Sequence, residues 1–303
     1  MNRGWRLVRL DGSDGRRLGA VAPDAPDRVA LLDGGNLLEL LAPGALAERA
    51  AASKEAIDGI DSDTLRPPAP WRLALPLDPG EVWCAGVTYE RSRDARLEES
   101  QTEARDAYSL VYDAERPELF LKDAAGRRTV GPDGLIGVRS DASWSVPEPE
   151  LGVVLGEGGA LLGLTIGNDV SSRDIEGANP LYLPQAKIYA GACAIGPAVF
   201  VPDDHERSFH LTLRVTDEWG RIVFEGEAFT ATMRRSFAEL VQWLLVDNPV
   251  PPGSVLLTGT GLVPPDSFTL LPGHFVEIHV PEIGTLVNPV VRASELIEKE
   301  PVP

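Results

Sequence analysis

The chain has 303 residues, 43% of them hydrophobic, and a formal net charge of -18, so it has length enough for one large core and a smaller one. Its acidity excludes a binder of phosphate backbones, which needs a basic surface, and no apolar run approaches the roughly 18 residues that cross a bilayer. Cys84 and Cys193 are the only cysteines, which excludes a disulfide framework and a thiolate metal site.

Met1–Arg6 carries no apolar signal core, and a cytoplasmic protein is expected. Residues 1–75 read as a small N-terminal domain. Trp5–Leu10 has the pattern of a strand, and Leu37–Ala52 with the following Lys54–Ile57 has helical composition. Leu65–Pro79 holds five prolines, at 67, 68, 70, 76 and 79, and marks a boundary. Residues 76–303 form the second unit. It opens with a strand over Glu81–Tyr89, followed by a charged, solvated helix over Glu90–Tyr112 and a strand over Pro117–Lys122. Ile136–Ser145 then leads to the central stretch. Asn179–Lys187 reads as a long loop or short helix over a site. Phe209–Thr216 and Ile222–Thr230 alternate as antiparallel strands, and Phe237–Val246 is an amphipathic helix. Val255–Thr258 is a buried strand ending in Gly259-Thr260-Gly261, where backbone N–H groups can approach an anion. Phe275–Val280 and Thr285–Val290 complete the strands.

The central stretch is Pro147-Glu148-Pro149-Glu150-Leu151-Gly152-Val153-Val154-Leu155. On a strand, Glu148 and Glu150 point one way and Leu151, Val153 and Leu155 the other, into a core. The prolines suit a strand start or an edge. Such a pair alone also reads as two solvated charges. However, Gly156–Gly159 and a second apolar run, Leu161–Ile166, read as a hairpin, which brings Asp169 back beside the glutamates. Three carboxylates together call for a hard divalent ion such as Mg²⁺. An anionic substrate of so acidic a protein needs local cations. Of the four lysines, Lys54, Lys122, Lys187 and Lys299, two flank this region. Lys122 follows Leu119-Phe120-Leu121, and Lys187 lies in an uncharged stretch, so both are candidates for partial burial and catalysis. The histidines, at 205, 210, 274 and 279, all lie outside it, so an oxygen-ligand site is expected rather than zinc.

The ordered set Leu119–Lys122, Glu148–Leu151, Gly167–Asp174, Lys187 and Thr258–Thr260 resembles the fumarylacetoacetate hydrolase superfamily over residues 80–295. The resemblance implies an α+β, β-rich fold, a fumarylacetoacetase-like mixed β-roll with a small N-terminal domain, assembled as a homodimer or homotetramer. It implies Mg²⁺, with Mn²⁺ or Ca²⁺ as substitutes, on Glu148, Glu150 and Asp169. It also implies substrate contacts from Thr260, Gly259, Arg173 and Ser92, and substrate activation at Lys187. Hydrolytic members carry a histidine in the first strand-to-helix turn, but here that turn is Val87-Thr88-Tyr89-Glu90-Arg91-Ser92. With Glu176–Lys187, it is similar to the branch that dehydrates 2-keto-3-deoxy sugar acids.

The expected chemistry is therefore removal of a C3 proton beside a polarised C2 carbonyl and departure of the C4 hydroxyl. Lys187 is the first candidate base, with Glu118 and Lys122 for the remaining proton transfer or for orienting hydroxyls. Arg173 is alternatively a residue that orients Asp169. Two other readings stand beside it: C–C bond hydrolysis of an acylpyruvate or 2,4-diketo acid, with Glu90 or Glu118 replacing the histidine, and a non-catalytic binding module.

Overall fold

The computed structural model of the chain describes residues 4–99, 110–202 and 207–297. Among these residues the strands form a twelve-stranded sheet, a five-stranded sheet and a two-stranded one. The path of the large sheet runs Glu55–Asp58, Ala25–Leu32, Gly15–Ala22, Gly4–Gly12, Cys193–Pro202, Leu161–Asp169, Pro149–Leu155, Val255–Leu257, Glu81–Gly86, Glu118–Ala124. Most neighbours are antiparallel, but Val255–Leu257 runs parallel to Glu81–Gly86. The fold is thus β-rich with mixed sheets.

The large sheet is rolled. Glu118–Ala124 lies four strand positions from Leu161–Asp169, about 19 Å away on a flat sheet at about 4.8 Å per strand. Yet Lys122 Nζ reaches the carbonyl of Val170 at 3.0 Å and pairs with the carboxylate of Asp169. Thr129–Val130 closes the curl by pairing in parallel with Cys193–Ala194.

The strand Pro149–Leu155 is buried along its whole length because both of its faces are covered. Leu151, Val153 and Leu155 enter one core with Leu256 and with Leu240 of the helix Phe237–Leu244. Val154, Val255, Leu257 and Cys84 enter a second core with Leu40, Leu41 and Leu46 from the N-terminal helices. The inward side expected from alternation is correct, but the opposite side is not open. The strand is central rather than an edge, and Pro149 opens it, which is the strand-start alternative. Pro149 is tolerated because Val255–Leu257 pairs only with Gly152–Val154, so the missing N–H falls outside that ladder.

Residues 4–58 do not make a sheet of their own, since Gly4–Gly12 pairs with Cys193–Pro202 and continues the large one. Pro43 and Gly44 split the expected N-terminal helix into Leu37–Leu40 and Ala45–Ala52. Glu55–Asp58 is a strand, its backbone recruited by Ala25–Leu32 against its helical composition. The helix expected over residues 90–112 is present at Glu90–Glu99, and residues 100–109 lie outside the described residues. His205 and Lys299 also lie outside them.

Candidate active site

The hairpin builds the site first. Pro149 pairs with Asn168 and Glu150 with Gly167. The ladder runs one step further, with Asp169 N donating to Glu148 O at 3.0 Å. Alternation then sets Glu148, Glu150 and Asp169 on one face. One carboxylate oxygen from each lies within 4.8 Å of the others, and the residues are 4%, 2% and 1% exposed.

Three cations surround them. Lys187, at the end of the short helix Leu183–Lys187, donates to Glu148 Oε2 at 2.6 Å, Asp169 Oδ2 at 2.9 Å and Ser171 Oγ at 2.6 Å. Arg173 opens the helix Arg173–Ala178 and pairs with Glu148 Oε1 at 3.1 Å. Lys122 holds the other oxygen of Asp169 from below. The third carboxylate is held by backbone: Gly259 N donates to Glu150 Oε2 at 2.6 Å. Gly259 has φ +92°, and a Cβ there would lie 2.1 Å from Thr88 Oγ1, so glycine alone lets this amide face the carboxylate.

Burial pushes Glu150 well above the ordinary carboxylate range, helped by the negative charges of Asp169 and Glu148 and opposed by Lys187 and the Gly259 amide. Such a group holds a proton unless a cation takes its place. An all-oxygen set of three converging, buried carboxylates is the donor chemistry that hard divalent ions select, so the residues fit a magnesium ion.

Residues 81–291 match the family model described as fumarylacetoacetate (FAA) hydrolase C-terminal. The chain belongs to the fumarylacetoacetate hydrolase family. Within it, the chain is 46% identical over 229 residues to 2-dehydro-3-deoxy-D-arabinonate dehydratase of Saccharolobus solfataricus, covering 74% of this chain and 76% of that protein. It is 51% identical over 217 residues to a probable 2-keto-3-deoxyxylonate dehydratase of Haloferax volcanii, covering 71% and 74%. A solved structure of 2-keto-3-deoxy-D-arabinonate dehydratase complexed with magnesium and 2,5-dioxopentanoate superposes with TM-score 0.79 at 38% identity, covering 95% of this chain and 99% of that one.

In this family member a small cavity of about 10 Å³ opens over the carboxylates, enough for about one water. Glu118, Ser92, Thr260, Gly259 and Lys187 line it, as does Glu176. Lys122 does not; it is fully buried behind Asp169. Arg173 pairs with Glu148 at 3.1 Å. The Gly259 amide is occupied by Glu150, and the Thr260 hydroxyl accepts from Leu262 N at 3.2 Å within its own turn. Glu118 sits opposite Gly86 in the strand pair, with its carboxylate folded over that glycine, where a Cβ would lie 2.0 Å from Oε2. His210, His274 and His279 do not line the cavity.

Sequence reasoning passed over Glu176, Phe120 and Ser171. Ser171 supports Lys187 and donates to Asp169 O at 2.9 Å. Phe120 places its ring 5.6 Å from Lys187 Nζ. A signal for Glu176 was available: it stands three residues after Arg173, on the same helix face.

Proposed function

We propose that this chain is a magnesium-dependent hydro-lyase that dehydrates 2-dehydro-3-deoxy-D-arabinonate, a sugar acid of pentose oxidation, to 2,5-dioxopentanoate (2-oxoglutarate semialdehyde). The observation that carries this reading is the buried trio Glu148, Glu150 and Asp169 gripped by Lys187, in a cavity lined by no histidine among the described residues. The names of the two relatives converge on one compound. C2 and C3 of a 2-keto-3-deoxy-pentonate carry no stereocentre, so the D-arabinonate and D-xylonate derivatives are the same molecule, defined by C4 alone.

Glu148, Glu150 and Asp169 hold the metal. A magnesium ion held there would supply polarisation of a 2-oxo carboxylate, and Glu148 and Asp169 would then serve it in place of the Lys187 ammonium. Lys187 takes the C3 proton. Glu118, at the cavity rim, gives a proton to the departing C4 hydroxyl. Lys122 acts through Asp169, holding it in position, and Arg173 does the same for Glu148. Ser92 and Thr260 face the distal hydroxyls, and the Gly259 amide keeps Glu150 aimed at the metal. The cavity is smaller than a pentonate, so binding requires its outer wall to give way. The part of the wall we assign to this movement is the segment Arg173–Lys187, whose Glu176 and Lys187 line the cavity and whose Leu181 is 83% exposed.

All the cavity residues named come from the catalytic domain, 76–303, with 1–75 as the small N-terminal domain. No helix among the described residues is long and apolar enough to cross a membrane. We assign the enzyme to the cytoplasm, where the free buried thiols of Cys84 and Cys193 are at home. We assign it as a homodimer or homotetramer, which light scattering measures. For the C–C hydrolase alternative, no histidine among the described residues lines the cavity to activate water.

The test is a product assay with Mg²⁺ and 2-keto-3-deoxy-D-arabinonate, coupled to a semialdehyde dehydrogenase. NAD(P)H formation abolished by EDTA is the expected result. Cleavage of an acylpyruvate with no turnover of the sugar acid would overturn the reading.

A further inference from the structure

Loss of water across C3 and C4 of a 2-keto-3-deoxy-pentonate leaves 5-hydroxy-2-oxopent-3-enoate, whose C5 is still an alcohol. In 2,5-dioxopentanoate, the compound in the solved relative, C5 is an aldehyde. The two are isomers. One hydrogen must leave C5, and hydrogens must arrive at C3 and C4, without an oxidant. A base for C5 is needed besides the base for C3.

Apart from Glu148, Glu150 and Asp169, three titratable side chains among the described residues line the cavity: Lys187, Glu118 and Glu176. Glu118 is half-buried at the rim, where water reaches it. Glu176 is 3% exposed. It lies on the helix Arg173–Ala178, three residues from Arg173, which grips Glu148, so the helix turns both residues toward the carboxylate cluster. A secluded carboxylate in a substrate cavity is suited to taking a proton and keeping it from bulk water.

We propose that Glu176 drives an isomerisation half-reaction built into this site: it takes a proton from C5 of the enone and delivers it to C4. This rests on the dehydratase reading. Lys187, acting as a neutral amine in the loaded site rather than as the ammonium that pairs with Glu148 and Asp169 in its absence, takes a C3 proton. The C4–O bond breaks as Glu118, protonated at the start, gives its proton to the hydroxyl, and water leaves. Glu176 then takes a C5 proton. The C5–H electron pair becomes the C4=C5 bond, the C3=C4 pair moves to C2–C3, and the charge moves to the C2 oxygen. Lys187 returns its proton to C3 and the C2 carbonyl re-forms. Glu176 gives its proton to C4 while Glu118 takes the enol O–H proton, and C5 becomes the aldehyde. One water is released, the isomer is complete, and all three side chains end in their starting states.

The magnesium-loaded enzyme and its Glu176→Gln variant are given 2-keto-3-deoxy-D-arabinonate and followed by near-ultraviolet absorbance, proton NMR and the coupled aldehyde assay. In the variant, water loss continues, the conjugated enone accumulates, and aldehyde formation falls about 10²-fold or more. Magnesium raises the melting temperature of both proteins equally, which shows that the metal site is intact. Aldehyde formation at the wild-type rate overturns the proposal. So does a variant that fails to release water yet converts added enone as fast as wild type. A second measurement needs no variant: with substrate deuterated at C5, wild-type enzyme in a rapidly quenched reaction places deuterium at C4. Product with none at C4 overturns return by a secluded group. Failure of the wild type to release water at all is a separate result that sinks the dehydratase reading itself.

Discussion

The site is made of two unlike regions. Its floor is a hairpin in the middle of the large sheet, with both faces covered and the main chain paired on each side. Its wall, Arg173–Lys187, is a run of short helices with Leu181 and Tyr182 exposed. The floor carries the groups that must not move, since three converging carboxylates repel one another and a metal demands fixed donors. The wall carries Glu176 and Lys187, to which the proposed mechanism gives the proton transfers. In the proposed mechanism the ladder holds charge and the wall moves protons.

The largest expected effect tests the floor. Glu148→Ala removes a metal donor and deprives Arg173 and Lys187 of a partner. Magnesium binding measured by calorimetry and dehydration in the coupled assay should both be lost, by about 10³-fold or more in rate. Retained magnesium affinity would break the division at once. Asp169→Asn tests the same region through stability. It leaves Lys122 and Lys187 buried against a neutral group, at a cost of about 3–5 kcal/mol in urea unfolding.

Lys187→Met tests the wall. Turnover should fall by about 10²–10⁴-fold while magnesium still raises the melting temperature, because the three donors remain. Loss of metal binding would place Lys187 with the floor instead. Gly259→Ala is a smaller perturbation of the floor, since a Cβ at φ +92° meets Thr88. A loss of about 1–3 kcal/mol in unfolding free energy is expected.

The smallest effect lies outside both regions. Burial holds His274 below the ordinary imidazole range, opposed by Asp217. With its folded pKa depressed, its contribution to stability is intact above the unfolded value of about 6.5 and is lost as pH falls below that toward the folded pKa. His274→Gln should flatten the decline of melting temperature between about pH 6.5 and 5 while leaving magnesium binding unchanged.

Much of this was legible because it depends on local pattern. Period-two alternation and the Gly156–Gly159 turn were enough to align Glu148, Glu150 and Asp169, since register in a hairpin follows from its loop. Glu176 was missed because a six-residue helix carries too few turns for its spacing from Arg173 to stand out, and Phe120 because an aromatic on a strand reads as core. Glu55–Asp58 misled because neighbouring strands outweigh weak helical composition.

By itself the chain's order of residues determined the carboxylate trio, its preference for a hard cation, the absence of a histidine in the first turn, and the strands that bear them. The curl of the sheet was decided only in three dimensions. It sends Lys122 to Asp169 across four strand positions and behind the cavity, and covers both faces of Pro149–Leu155. Sequence spacing states which face a side chain takes, but the closure of a rolled sheet depends on twist summed over many strands and on the cores packed within it.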